Sequence, residues 1–389
     1  MADNPNRAIG VLEIRGQAAL MAATDAMLKT SKVAVCGRHG IGSGWLTVVV
    51  EGDVAAVEAA LPAGISAAKR YGDLISAETI ARPEPRAEAP MPHRAPLAAG
   101  SVGDGAPRAL GLIETKGLMP LLKAADAAVK AADVELAGWT YIGGALVHLA
   151  LLGDTAAVRA ALDAGVVAAE KAGEVHATLL LPRPDAGLAP LMPPPPAAPP
   201  ERTGSLGVLE TTGYVGAVAG SDAMVKAAGV EVLRMTLASG GRVGALVKGN
   251  IDEVQTALDA GAAAAEKVGE FEGTQLVPRP DEAVMAAFGG SVAAVPAPGQ
   301  GGAMGLLETR STIALVKALD RMLKTADVDC EGSYKVGYFL TATVVRGDTG
   351  AVQAALAAGV DEAGKYGDSV AAHLIPNPYG ELEARLAHH

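Results

Sequence analysis

Aromatic side chains are nearly missing from this chain: Phe, Trp and Tyr together make up 3% of its 389 residues. Aromatics bury the largest areas per residue, so any core must be assembled from small aliphatic side chains. Each folding unit then buries little, and much of its stability is expected to come from association with neighbours. Cysteine is also scarce, with only Cys36 and Cys330. That excludes a disulfide framework or a cysteine metal cluster, and both are expected as small buried hydrophobes. No apolar run reaches membrane length, and the N-terminal MADNPNRA lacks the apolar core of a signal peptide. A soluble, cytoplasmic protein is expected. The net charge is −11 with no long basic run, which argues against nucleic acid as a partner. G-x-S-x-G, H-E-x-x-H and a phosphate loop ending in G-K-S/T are all absent, so no catalytic role is expected.

What the chain has is a repeat. Gly10, Gly111, Gly207 and Gly305 each precede, by three residues, a glutamate: Glu13, Glu114, Glu210 and Glu308. Lys29, Lys130, Lys226 and Lys324 keep the same offset, as do Gly64, Gly165, Gly261 and Gly359. Self-similarity at fixed offsets outranks any single local motif. The repeat unit, roughly 75 residues, is large enough for a small domain. Four domains are expected at 8–83, 108–184, 205–280 and 303–378. Residues 84–107, 185–204 and 281–302 are rich in Pro, Ala and Gly and read as semi-extended tethers. A short helix is expected over 282–288, and 379–389 forms a C-terminal tail, helical near 379–386.

In the first copy, alternating apolar residues give strands at 9–14, 33–38, 45–51 and 74–80, with helices at 17–31 and 54–70 between them. The order βαββαβ is the split βαβ arrangement of ferredoxin-like folds, an α+β class with two helices on one face of a four-stranded sheet. Glycine inside a helix costs about 1 kcal/mol against alanine. Its recurrence at Gly64, Gly165, Gly261 and Gly359 therefore predicts close helix contact there.

The glutamates lack a second carboxylate or histidine nearby in sequence and read as structural residues at strand ends. His39, His148, His176 and His373 fall at unrelated repeat positions, so no metal site is expected. The turn between the second and third strands reads Gly42-Ser43-Gly44, Gly143-Gly144-Ala145, Ser239-Gly240-Gly241 and Gly337-Tyr338-Phe339. Two readings stand side by side: a hairpin turn that needs positive φ, and a loop of small residues lining a symmetry axis. The aligned lysines suit helix ends. With Arg82, Arg183 and Arg279 of the R-P step they suggest an edge used for contacts, though the fourth copy has Asn377 there.

The combination of LGLIET-G, D-A-x-V-K-A-A, V-x-G-D-x-x-A-V, A-G-x-x-A-A-E-K-x-G-E and P-R-P resembles the bacterial microcompartment shell domain, in all four copies. The resemblance implies six-domain rings, or pseudohexamers, that tile the protein shells of carboxysomes and metabolosomes. It implies that the turns at 42–44, 143–145, 239–241 and 337–339 line a central pore for small metabolites. It places Lys29, Lys130, Lys226 and Lys324 at the tile edge, with Arg82, Arg183 and Arg279 docking on the next tile. The partners implied are further copies of this chain, such as a trimer, and other shell proteins. Some two-domain relatives hold an iron–sulfur cluster at the pore through cysteine, but Cys36 and Cys330 lie outside the turns, so no cofactor is expected. A ring-forming regulatory or small-ligand-binding protein on the same scaffold is the alternative.

Overall fold

The computed structural model describes residues 7–83, 108–193, 204–237, 240–288, 302–336, 340–365 and 369–378. The first tether and the tail lie outside them. Two compact units divide the chain, one of residues 1–116 and 120–197, the other of residues 117–119 and 198–389.

The first unit holds two copies of one pattern. Its first copy runs strand Arg7–Arg15, helix Gln17–Thr30, strands Ala34–Gly42 and Trp45–Asp53, helix Val54–Ala68 and strand Leu74–Ala81. Its second runs strand Ala109–Lys116, helix Leu118–Ala131, strands Val134–Gly143 and Leu146–Gly153, helix Thr155–Glu170 and strand Glu174–Leu181. The second unit repeats the pattern, with sheet strands Ser205–Thr212 to Glu270–Val277 and Ala303–Thr309 to Ser369–Ile375. In each copy the strand order is second, third, first, fourth, and neighbouring strands run antiparallel. The fold is the α+β, ferredoxin-like βαββαβ arrangement expected.

The glycine of each second helix sits where the two helices of its copy touch. A Cβ on Gly64 would lie 2.7 Å from Met27 Cγ, and one on Gly261 or Gly359 2.6 Å from Met224 or Met322 Cγ. On Gly165 it would meet Ile113 Cδ1 at 2.5 Å. Close helix contact is therefore the reason glycine is accepted there despite its helix cost.

Two expectations need correction. Cys330 is exposed rather than buried, and Cys36 is half-buried. Cys330 lies at a register shift in the edge strand Val328–Lys335 and points its sulfur toward Thr343 and the Gly332 carbonyl, away from the apolar core. The second tether does not begin at 185 as open chain. Ala186–Leu191 form a 3-10 helix that Asp185 caps through the Gly187 N–H at 2.9 Å. Leu188, Leu191 and Met192 are buried in the first unit's core beside Ala18, Met21 and Ala22. A proline- and alanine-rich composition hid these three apolar anchors. The short helix expected over 282–288 is present as Glu282–Phe288, with Phe288 fully buried.

Candidate functional site

The helix Gln17–Thr30 begins at Gly16, whose φ of 95° is open to glycine but not to L side chains. The first N–H groups of any helix lack internal acceptors. Here the next copy supplies one: Glu114 Oε2 accepts from the N–H of Gln17 at 2.9 Å and of Ala18 at 3.0 Å. A Cβ on Gly16 would stand 3.0 Å from Glu114 Oε1, so the glycine leaves room for the carboxylate. The second unit repeats the device. Gly213, with φ 105°, opens helix Tyr214–Ala227, and Glu308 accepts from the N–H groups of Tyr214 and Val215. A Cβ on Gly213 would fall 2.6 Å from Glu308 Oε2. The same unit includes residues 117–119, and there Glu210 accepts from the N–H groups of Leu118 and Met119.

Burial sets the electrostatics of these carboxyls. It raises Glu114 from 4.5 to about 7, against the opposing pull of the Ala18 and Gln17 N–H groups and Arg15. Burial likewise raises Glu210 and Glu308. Glu114 pairs across the sheet with His148, which burial first and Arg38 second lower to about 3. Neither ring nitrogen of His148 has a hydrogen-bond partner among the described residues. His176 Nε2 approaches Glu114 to 3.9 Å. Two of the histidines read as scattered thus gather around one glutamate. Among the described residues no three His, Cys, Asp or Glu side chains are arranged to hold a metal.

Apolar side chains fill the contact between the two copies of each unit. The sheet face turned away from the second copy's own helices carries Leu110 and Leu112, which share a buried cluster with Ala18, Met21 and Ala22 of the first copy's helix. In the second unit Met304 and Leu306 do the same against Val215 and Val218. Within each unit the following copy therefore lays its sheet on the preceding copy's first helix, with the glutamate at one end of the contact.

The hairpin turns lie beside this junction. Gly42 pairs with Trp45 across the two-residue loop Ser43-Gly44, at φ 53° and 80°. Gly143 pairs with Leu146 across Gly144-Ala145, at φ 63° and 66°. Positive φ at both loop positions is the type I′ geometry that matches strand twist, which explains the small residues. The two turns of the first unit also touch: a Cβ on Gly144 would come within 2.6 Å of the Ser43 carbonyl carbon. In the second unit a Cβ on Gly241 would come within 3.2 Å of Leu340. The Gly16 N–H donates to the Gly44 carbonyl at 2.9 Å, and the Gly213 N–H to the Gly241 carbonyl at 2.7 Å. Ser239, Gly337, Tyr338 and Phe339 lie outside the described residues, and Gly240 is exposed.

Each aligned lysine is engaged by an aspartate one turn earlier. Lys29–Asp25 and Lys226–Asp222 are 2.6 Å apart, Lys130–Asp126 2.7 Å and Lys324–Asp320 2.8 Å. Asp25 also accepts from the Asp185 N–H at 2.8 Å, so its carboxylate joins the first copy's helix to the chain leaving the second. Arg82, Arg183, Arg279 and Asn377 are exposed. Sequence reasoning missed the aspartates and the role of the glutamates. The signals were present as D-x-x-x-K and as the E-x-x-G step of the first three copies.

Within each unit the following copy gives a glutamate backward and the preceding copy a helix N-terminus forward, a side-by-side junction between domains of one kind. Residues 8–83, 109–184, 205–280 and 303–378 match the BMC domain family, and the chain belongs to that family. The carboxysome assembly protein CcmO of Synechocystis sp. is 39% identical over 181 residues, covering 45% of this chain and 61% of CcmO. CcmO of Synechococcus elongatus is 33% identical over 180 residues, covering 46% and 65%. The chain thus spans less than two thirds of the length of these relatives. The bacterial microcompartment shell protein PduA of Salmonella typhimurium is 48% identical over 85 residues, 22% of this chain and 90% of PduA. EutM of Escherichia coli K12, also a microcompartment shell protein, is 48% identical over 85 residues, 88% of its length.

Proposed function

We propose that this chain is a structural shell protein of a bacterial microcompartment. Its domains, with the boundaries and tethers read from the repeat, complete six-membered pseudohexameric rings that tile a shell and leave a central pore for small metabolites. The observation that carries this reading is the head-to-tail junction. A carboxylate of one copy caps the helix of the copy before it, with both hairpin turns brought together on the same side. Such a heterologous contact propagates, and a closing rotation turns it into a ring. The relatives named as shell and carboxysome assembly proteins support the setting. The partners are other copies of this chain and other shell proteins, and the lysines and R-P arginines form the tile edge. The role is architectural rather than catalytic. Among the described residues no helix is long and apolar enough to cross a membrane. Electron microscopy of the expressed protein should show flat sheets or shells with six-lobed tiles. Discrete rings that never tile, and whose melting temperature rises with a nucleotide or metabolite, would instead support a ring-forming ligand-binding protein.

A further inference from the structure

The fourth copy's first helix, Thr312–Thr325, breaks the pattern in two ways. Its N-cap is Ser311 in extended backbone, φ −134°, in place of a positive-φ glycine. Ser311 Oγ accepts from the Ala314 N–H at 3.4 Å, while the N–H groups of Thr312 and Ile313, the positions that receive a glutamate in the first and third copies, have no acceptor among the described residues. The outer face of the helix is also bare. Ile313 is 66% exposed, Val316 60% and Leu323 43%. Their counterparts Ala18 and Met21 in the first copy, and Val215, Val218 and Val225 in the third, are buried under the next copy's sheet or its chain. Position for position the face is apolar in all three copies, and only in the fourth does nothing among the described residues cover it.

The first copy carries the complementary end. Glu13 is the one of the four glutamates not set on a helix N-terminus; its hydrogen-bond contact is the Ser76 hydroxyl at 3.3 Å. On the same sheet face Val11 is half-buried where Leu112 and Leu306 are buried, and Ile80 is 36% exposed where Ile375 is 2%. Charge follows the same division. Glu78 stands on this face where the second copy has Leu179, and Lys317 stands on the fourth copy's helix where the first and third copies have Ala22 and Ala219.

We infer that the bare helix of the fourth copy is the docking surface for the first copy of a second chain. Glu13 reaches the Thr312 and Ile313 N–H groups, and Val11 and Ile80 cover Ile313 and Val316. The inference rests on the ring reading and names the junction that joins chains. This junction differs from the internal ones because Ser311 already caps one helical N–H. It is therefore the separable one, while the junctions inside each unit hold.

Two chains, both carrying Cys36→Ala and Cys330→Ser, test it: one also carries Glu13→Cys, the other Ser311→Cys. A short thiol–thiol cross-linker should give a two-chain product in the mixture and in neither chain alone. A two-chain product from the Ser311→Cys chain alone would overturn the pairing in favour of fourth copy on fourth copy. So would the absence of product at a concentration where native mass spectrometry shows multi-chain particles. Independently, Val316→Asp should leave circular dichroism unchanged and reduce the native mass to one chain at micromolar concentration. If that variant assembles as the parent does, or if the parent itself is a single chain, the junction is wrong. Six-lobed rings without the cross-link would sink the junction and spare the ring. The cross-link in particles of another domain number would do the reverse.

Discussion

Glu114 and His148 face each other in a site closed to water, and burial pushes the two groups in opposite directions. The sign of each contribution follows from proton linkage. Glu114 titrates near 4.5 in the unfolded chain and about 7 in the folded one. The folded state therefore holds more protons in that window, and stability falls as pH rises through it. His148 moves from 6.5 down to about 3, so the unfolded state holds more protons there and stability rises with pH across that range. In the parent the two slopes offset each other where the windows overlap. His148→Ala should expose the falling slope between pH 4.5 and 7, and Glu114→Gln the rising one between pH 3 and 6.5. Urea midpoints taken along a pH series check this: the His148→Ala curve minus the parent's should fall between pH 3 and 6.5, and the Glu114→Gln curve minus the parent's should rise between pH 4.5 and 7. Two superimposable difference curves would show that neither group titrates as its burial implies. None of this chemistry was visible from the residues in order. Glu114 and Gln17 are far apart in sequence, and a lone carboxylate after a strand carries no mark of the helix it caps. The mark was the glycine three residues after each of the first three glutamates, which reads as an ordinary helix start until its Cβ position is seen to be occupied.

The strands and helices were the most legible part of the chain, because fixed offsets repeated every strand, helix and turn four times. The glycines of the second helices could be read as contact points from their helix cost alone. What escaped was anything packed by a few residues inside a biased segment, such as the turn that buries Leu188 and Leu191. The helix-end lysines belong to this scale as well. Each is half-exposed or more and bound to an aspartate four residues back. Pairs of that kind contribute about 0.3–0.5 kcal/mol to a helix, too little to explain folding. Replacing Lys29, Lys130, Lys226 and Lys324 together by Ala should lower the melting temperature by only a few degrees, in line with domain-scale averages, and should abolish sheets or shells under the microscope. A quadruple variant that tiles as the parent does would remove the lysines from the tile edge.

For the whole molecule, the arithmetic of four domains against the proposed rings of six decides what can close. One chain cannot complete a ring, and three chains supply domains for two. In the head-to-tail order that the proposed junction gives, the first and second copies contribute the turns Ser43-Gly44 and Gly144-Ala145, which carry almost no side chain. Their backbone N–H groups suit small anionic metabolites. The fourth copy contributes Tyr338 and Phe339, which should narrow the proposed lining on its side. A map of the assembled particle should therefore show an aperture narrower beside each fourth copy than beside the first and second. Tyr338→Gly with Phe339→Gly should remove that difference. An aperture of even width in the parent, or those two side chains turned from the axis, would end the idea.

The hydrogen bonds from Gly16 to the Gly44 carbonyl and from Gly213 to the Gly241 carbonyl have a practical consequence. They bolt the last residue of a hairpin turn to the residue on which a helix start, and the incoming carboxylate, depend. Resizing the turn, as the proposed pore would invite, also loosens the seat of the seam beside it. Lengthening the loop by even one residue relocates the carbonyl that holds the glycine in its left-handed backbone. On the proposed pore reading, permeability and cohesion become a single adjustable quantity, and variants selected for a wider opening should be screened first for whether they still hold together.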